Sequence, residues 1–403
     1  MKKQSKENLT ALRKRVGRVS KKIDLIVGIP SYNEADNISF VVQQVDWGLR
    51  KYFSDKKALI INVDNNSPDG TKDAFLSTET TTPLEYISTP AGVKGKGNNF
   101  YNLFQAVKKY QAQAVLVVDA DLRSITPEWV EKMLRPILDG YDYVLPLYSR
   151  NEYDGTITNF ICYPLIYGLL GYDIRQPIAG DFSFSAQLNN YWLTRKWYPN
   201  TYQYGIDIFM TMHAIFGEFK LGQVVLGSKI HKPSAPKLGI MFTEVVSTLF
   251  KNILSNRDKW KNNNKLNKVP IISNGYHSEP QSLCIDYKSI KSVALRNFSD
   301  YKSEIKKALP PSLFRELNQL MDKKQMKITP KMWQEIVFSF LVYYQKSRYS
   351  KKIVEAFKPL YFARVASFIK QTLDMNYDEA ERLIVNQAKL FYKYRQNIIA
   401  KLK

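Results

Sequence analysis

The feature that most constrains this chain is an apolar run ending in two carboxylates, 117–124 (VVDADLRS). Apolar residues 114–118 lead directly into Asp119 and Asp121, and such a run is typical of a parallel strand covered on both faces. Ligands of open α/β sheets bind beyond the carboxyl ends of these strands. Carboxylates two residues apart on an extended backbone point to the same side. The pair is therefore predicted to meet a divalent cation, or ribose hydroxyls plus a cation; an ordinary acidic turn is the alternative.

Two earlier apolar runs end in polar turns of the same kind. Residues 24–29 are predicted to form a buried strand, and the turn 30–37 separates it from a helix that begins near Ile38. Residues 58–63 form a second predicted strand, and an acid at its end is where α/β nucleotide-binding folds contact a ribose or base. The side chains expected to meet a nucleotide at these two strand ends are Pro30, Tyr32, Asn33, Glu34 and Asp64.

Glycines and lysines alternate over residues 92–97, directly before a predicted helix at 100–110. Glycine allows close backbone approach, a helix N-terminus supplies N–H groups, and Lys96 supplies positive charge, so the segment is suited to phosphate. The spacing is not that of a Walker A loop.

Taken in order, the segments PSYNEADN (30–37), VDNNSPDGT (63–71) and VDADL (118–122) resemble the family 2 glycosyltransferases of the GT-A type. The first two come close to the polyprenyl-phosphate mannose synthases. The resemblance implies a Rossmann-like mixed sheet flanked by helices. It also implies that Mg²⁺ or Mn²⁺ binds the donor diphosphate through Asp119 and Asp121, with Ala120 of the same motif beside the donor.

Later segments resemble the retaining GT-A enzymes that make mannosylglycerate or glucosyl-3-phosphoglycerate. They are GKG (95–97), QPIAGD (176–181), YGID (204–207) and a late histidine; the third segment has Ala179 and Asp181 where those enzymes have glycine and glutamate. By resemblance, Asp121 and His231 are metal ligands together with Asp119. Lys96 and Gly180 would contact the donor. Asp207 and Asp181 would face the transferred sugar and acceptor as catalytic residues, with Arg150 expected from charge and position to hold an anionic acceptor.

Charge and cysteine content narrow the class of partner and the compartment. The formal charge of +22 indicates acidic partners, among them nucleotide phosphates, a phosphorylated substrate, nucleic acid or an anionic membrane surface. Cys162 and Cys284 lack CxxC spacing, and the basic N-terminus lacks the apolar core of a secretory signal, so a cytoplasmic location is expected. Nucleic acid is not predicted as a partner.

Four segments are predicted along the chain. They are a basic arm (1–21), a GT-A domain (22–240), a helix and linker (241–283) and an all-helical domain (284–403). The last segment carries no catalytic constellation. Packing, homodimer formation or peripheral membrane contact is therefore its expected role.

The leading prediction is a metal-dependent, retaining transferase that moves glucose or mannose from a UDP- or GDP-sugar to a small anionic acceptor such as glycerate or 3-phosphoglycerate. The alternative is a polyprenyl-phosphate hexosyltransferase acting at a membrane surface. A non-enzymatic basic scaffold would leave the acidic strand ends unexplained. A nucleotidyltransferase would be expected to carry a glycine-rich N-terminal loop that the sequence lacks.

Overall fold

The computed structural model describes residues 22–232, 237–273, 280–281, 283, 285–348 and 350–402. Predictions for the basic arm 1–21 and for Cys284 lie outside the described residues.

A mixed eight-stranded sheet forms the centre of the molecule. The strands, in chain order, are β1 (Leu25–Ser31), β2 (Ala58–Asp64), β3 (Leu84–Ser88), β4 (Ala114–Val117), β5 (Tyr143–Ser149), β6 (Tyr172–Asp173), β7 (Phe182–Ser185), β8 (Leu221–Ser228), β9 (Asn267–Lys268) and β10 (Ile271–Ser273). Their order across the sheet is β10-β8-β5-β7-β4-β1-β2-β3, and β6 pairs separately with β9. Only β7 runs antiparallel to its neighbours among the described strands of this sheet. The predicted α/β class with a Rossmann-like mixed sheet is confirmed.

Helices cover the sheet and make up the C-terminal part of the chain. They are α1 (Ile38–Tyr52), α2 (Thr71–Ser77), α3 (Lys96–Tyr110), α4 (Pro127–Leu138), α5 (Thr158–Leu170), α6 (Ala186–Leu193), α7 (Ile206–Phe216), α8 (Leu238–Ser255), α9 (Arg257–Trp260), α10 (Tyr287–Ala308), α11 (Pro311–Asp322), α12 (Pro330–Lys346), α13 (Lys351–Thr372), α14 (Tyr377–Lys393) and α15 (Arg395–Ile399). The apolar stripe of α1 is buried as its 3.6-residue spacing predicts. Gly28 lets Leu103 of α3 lie directly against β1, because a Cβ there would overlap with the leucine side chain.

The segment predicted as a linker differs from expectation. Residues 267–268 and 271–273 are strands, and β10 extends the sheet beside β8. Strands of two or three residues are too short to show an alternating pattern, and their pairing depends on residues far away in the chain.

The C-terminal helices pack onto the sheet region through α5. The Trp333 indole donates to the carbonyl oxygen of Phe160 at 2.8 Å, and the Trp333 ring stacks on Phe357 with 5.4 Å between centroids. Gly168 of α5 lies against the backbone of Phe391 in α14. The helical region is therefore joined to the sheet region by a shared apolar core.

Helix α8 is long and apolar enough to cross a membrane by length and composition, yet 61% of it is buried inside the protein. Phe242 and Phe250 pack against Phe357 of α13 at 5.6 and 5.9 Å between ring centroids. These contacts are those of a core helix.

Arg395 is expected to contribute strongly to stability without any part in chemistry. It is 3% exposed, and its guanidinium donates to the carbonyl oxygens of Leu169, Trp260 and Asn263. Arg395→Ala would leave these carbonyls without that donor, so we expect the free energy of unfolding to fall by about 3 kcal/mol in a urea titration. Arg382→Ala, at an exposed position in α14, is the control and should change it by less than about 0.5 kcal/mol.

Candidate active site

Polar side chains at the ends of six strands and at the start of two helices meet at the carboxyl edge of the sheet. The parallel strands β1, β2, β4, β5 and β8 all end at this edge, and the antiparallel β7 begins there. The segments that follow or precede these ends carry most of the sequence-predicted site residues. Helix α3 adds its first residue, Lys96, and α7 adds Asp207 from its first turn.

Asp119 lies between two lysines, the half-buried Lys96 and the buried Lys229. Its Oδ1 is 3.2 Å from the Lys96 Nζ and its Oδ2 is 3.1 Å from the Lys229 Nζ. Burial opposes ionisation of Asp119, but the charges of Lys96 and Lys229 outweigh it and hold the pKa of Asp119 below its usual range. Burial alone would lower the pKa of Lys96, yet the neighbouring carboxylates, Asp119 foremost, raise it. All three groups are therefore charged at neutral pH.

Asp181 holds this cluster together from beneath. It is 1% exposed, and its carboxylate accepts from the Asp119 backbone N–H at 2.8 Å, the Tyr148 hydroxyl at 2.7 Å and the Lys229 Nζ at 2.6 Å. The preceding Gly180 has φ +90°, and a Cβ there would overlap with the Asp119 carboxylate. Asp181, which is shorter than the glutamate expected at this position, thus lies beneath the cluster and orients Asp119 and Lys229.

Asp207 connects α7 to the same cluster. Its carboxylate oxygens lie 3.4 and 3.5 Å from the Lys96 Nζ, and Oδ2 accepts from the Gly180 N–H at 3.2 Å. Burial, supported by the charge of Asp119, raises the pKa of Asp207 despite the nearby Lys96. Lys96, Asp119, Gly180 and Asp207 are therefore brought together in one cluster.

Asp121 lies on the outer side of the cluster, next to the β1 turn. One of its oxygens accepts from the Lys232 backbone N–H at 3.1 Å. Burial and the charge of Asp119 raise the pKa of Asp121. The Lys232 side chain reaches Glu34 at 2.8 Å and Asp36 at 3.1 Å. Burial raises the pKa of Glu34 although Lys232 and Asn37 donate to it.

Some of the residues expected to contact a nucleotide are accessible to solvent, and others are buried. Tyr32 accepts from the Lys94 Nζ at 2.7 Å, and Asn33 is exposed with φ +61°. Asp64, in contrast, is fully buried and accepts from the Ser31 and Ser67 hydroxyls and the Tyr86 hydroxyl at 2.7 to 2.9 Å. The Asp64 carboxylate therefore fixes the two turns to each other. Pro30 and Ala120 are buried and contribute shape only.

The His231 side chain contacts Asp154, at the edge of the cluster. Its Nε2 is 3.5 Å from Asp154 Oδ2, which also accepts from Arg150 at 2.7 Å. Burial opposes ionisation of Asp154, but Arg150 and His231 lower its pKa.

Among the described residues, no group of three or more His, Cys, Asp or Glu side chains is arranged to hold a metal ion. Mg²⁺ requires only one or two carboxylates when substrate phosphates supply further oxygens, and Asp121, whose burial beside Asp119 calls for positive charge, fits that role.

A polar pocket opens beside the cluster, next to Arg150 and Asp154. It is lined by Arg150, Asn151, Glu152, Asp154, Gly155, Thr158, Asn159, Arg175, Gln176, Tyr377 and Glu381. Gln176 begins the segment that ends in Gly180 and Asp181, and Asp154 contacts His231. The pocket and the cluster therefore share two structural connections.

Sequence reasoning missed Lys229, Tyr148 and Asp154. Lys229 is 2% exposed at its side chain and contacts both Asp119 and Asp181. A lysine at the end of an apolar strand, two residues before the singled-out histidine, was the available signal. No local pattern indicated that Tyr148 and Asp154 would bond Asp181 and Arg150.

Comparison with known proteins finds one family model and several solved structures that are similar to part of this chain. Residues 26–191 match the model of glycosyl transferase family 2. A solved structure of glucosyl-3-phosphoglycerate synthase from Mycobacterium tuberculosis, in complex with Mn²⁺, UDP and phosphoglyceric acid, is 22% identical over 60% of this chain and 82% of that chain, with a TM-score of 0.47. The same enzyme with Mn²⁺, UDP-glucose and glycerol 3-phosphate is 23% identical over 57% and 80%, with a TM-score of 0.46. A mycobacterial protein is 25% identical over 57% and 74%, with a TM-score of 0.47.

Proposed function

We propose a specific reaction for this glycosyltransferase, whose residues 26–191 match family 2. It would transfer a hexose, glucose or mannose, from a UDP- or GDP-sugar to a hydroxyl of a small anionic acceptor such as glycerate or 3-phosphoglycerate, with retention of configuration. The observation that carries the proposal is the adjacency of a lysine–carboxylate cluster and a polar, arginine-containing pocket at the carboxyl edge of one sheet.

The donor would lie across the ends of β1, β2 and β4. The exposed Asn33 and the half-buried Tyr32 line the turn where a base and ribose would sit. Lys94, above the Tyr32 ring at 4.8 Å, and Lys96 at the N-terminus of α3 supply positive charge for the diphosphate. Asp64 would act by holding this turn in shape.

Asp121 would hold Mg²⁺ or Mn²⁺, with Asp119 and His231 as further candidates. A divalent cation there would stabilise the negative charge of the departing nucleoside diphosphate. Asp119 already balances Lys96 and Lys229, so in this arrangement Asp121 has the less committed carboxylate. Lys96 would add to stabilisation of the leaving group because it is half-buried, charged and held by two carboxylates.

The acceptor would occupy the polar pocket beside Arg150. Gly180 and Asp207 are hydrogen-bonded to each other within the cluster, and the anomeric carbon of the sugar would sit near them. Transfer would break the bond between this carbon and the diphosphate oxygen and form a bond to the acceptor oxygen. The proton of the acceptor hydroxyl would pass to the departing phosphate. The reaction would take place in the cytoplasm.

The test is a matrix of transfer assays. UDP-glucose, GDP-glucose and GDP-mannose are each combined with Mg²⁺ or Mn²⁺ and with glycerate, 3-phosphoglycerate or a short polyprenyl phosphate. We expect metal-dependent glycoside formation on a glycerate acceptor, with retained configuration by NMR. Product on the lipid phosphate alone would contradict the acceptor assignment, and failure to bind any nucleotide sugar in calorimetry would contradict the proposal as a whole.

A further inference from the structure

The polar pocket contains residues from outside the segment that matches family 2. Tyr377 and Glu381 belong to α14, in the C-terminal helical region, whereas the family match ends at residue 191. Tyr377 and Glu381 line the pocket together with Arg150, which follows β5. One wall of the pocket is therefore built by the helical region.

Each of the two pocket arginines is already neutralised by a carboxylate. Arg175 makes a bidentate pair with Glu381, with Nε–Oε1 at 2.5 Å and Nη2–Oε2 at 2.7 Å. Arg150 pairs with Asp154 through Nε at 2.8 Å and Nη2 at 2.7 Å. Both Arg150 nitrogens contact the same Asp154 oxygen, Oδ2, whereas the Arg175–Glu381 pair uses both carboxylate oxygens and is therefore the stronger and more geometrically specific of the two.

The charges of the lining therefore do not favour a highly charged ligand. The lining contains three carboxylates, those of Glu152, Asp154 and Glu381, against two arginines. A ligand with two or three negative charges would enter a pocket without excess positive charge, at a cost that rises as the pocket excludes water. Hydroxyl groups carry no such charge penalty, and the lining includes the neutral polar side chains of Asn151, Thr158 and Asn159.

We propose that Glu381 determines acceptor selectivity: by occupying the Arg175 guanidinium, it makes the pocket favour a hydroxylated acceptor with a single carboxylate over a phosphorylated one. This inference rests on the proposed function and narrows its acceptor class to the glycerate type. The helical region thus contributes a specificity residue to a site otherwise built by the sheet region.

The test compares glycerate and 3-phosphoglycerate as acceptors. In the unchanged enzyme, kcat/KM for glycerate should exceed that for 3-phosphoglycerate by about tenfold or more. Glu381→Gln keeps the side-chain size and removes one negative charge beside Arg175, so the ratio should shift toward 3-phosphoglycerate by about tenfold or more. Glu381→Asp keeps the charge and should largely keep the preference for glycerate. Glu335→Gln, an exposed carboxylate on α12, is the matched control and should leave the ratio unchanged.

Two results would overturn the inference: a preference of the unchanged enzyme for 3-phosphoglycerate, or an unchanged ratio in Glu381→Gln. Circular dichroism melts of each variant separate misfolding from altered selectivity. If neither acid is glycosylated, the proposed reaction fails, and calorimetric binding of the two acids still decides the inference. Tighter binding of glycerate supports it, whereas tighter or equal binding of 3-phosphoglycerate, or no binding of either, contradicts it.

Discussion

Replacing Lys229 by methionine is expected to lower the free energy of unfolding by about 3–5 kcal/mol and hexosyl transfer by about 10²-fold or more. The Lys229 side chain is 2% exposed and donates to Asp119, to Asp181 and to the carbonyl oxygen of Ala179. Methionine fills similar volume but leaves two buried carboxylates short of a positive charge. The cost therefore comes from uncompensated charge and not from a cavity.

The pH dependence of this loss follows from Asp119. Its pKa in the folded protein lies below the ordinary value of 3.8, so its ion pairs contribute stability above that pH and lose it as the pH falls through the lower folded pKa. In the variant, protonated carboxylates are tolerated better than charged ones. The difference in stability between the two proteins should therefore narrow below about pH 4.

Urea titrations at pH 7 and at about pH 3 measure the stability loss and its narrowing, and initial rates of sugar transfer measure the loss of activity. Lys259→Met, at an exposed position in α9, is the control for removal of a lysine and should change neither quantity appreciably. Unchanged stability in Lys229→Met would mean that Asp119 and Asp181 do not need this cation, and would contradict the description of the cluster.

Much of the sheet and the location of the site follow from local sequence patterns. The apolar runs of β1, β2 and β4 are long enough to predict buried parallel strands, and parallel strands bring their acidic ends to one edge. Segments 30–34, 92–97 and 119–121 therefore come together as predicted. The glycosyltransferase class is confirmed by the family match, while the role of each predicted site residue stays a prediction.

The remainder depends on contacts between residues far apart in the chain. The antiparallel insertion of β7 between β4 and β5 determines that Asp181 meets Asp119 and Lys229, and no local periodicity shows this register. The hydrogen bond from the Tyr148 hydroxyl to Asp181 could likewise not be predicted, because a tyrosine in a strand usually packs as an apolar residue. The pocket wall from α14 involves a separation of 206 residues between Arg175 and Glu381.

Replacing Asp121 by asparagine is expected to reduce transfer by about 10³-fold while leaving the protein at least as stable. Burial and the negative charge of Asp119 raise the pKa of Asp121, so the ionised side chain is disfavoured in the folded state, and a neutral amide of the same size removes that penalty. The one bond described for its carboxylate, from the Lys232 N–H at 3.1 Å, can still be accepted by the asparagine oxygen. A carboxylate that binds a cation is expected to destabilise the protein when the cation is absent and to be required for activity.

Transfer rates over a range of Mn²⁺ concentrations, calorimetric binding of the nucleotide sugar with and without Mn²⁺, and thermal melts test this expectation together. Asp139→Asn, exposed at the end of α4, is the matched control for loss of one aspartate charge. In Asp121→Asn, nucleotide-sugar binding should no longer be strengthened by Mn²⁺, because Asp119, the other carboxylate of the 119–121 motif, is held by Lys96 and Lys229. If Mn²⁺ still strengthened binding in this variant, the cation would have to be held elsewhere, and displacement of the two lysines from Asp119 would become the next arrangement to examine.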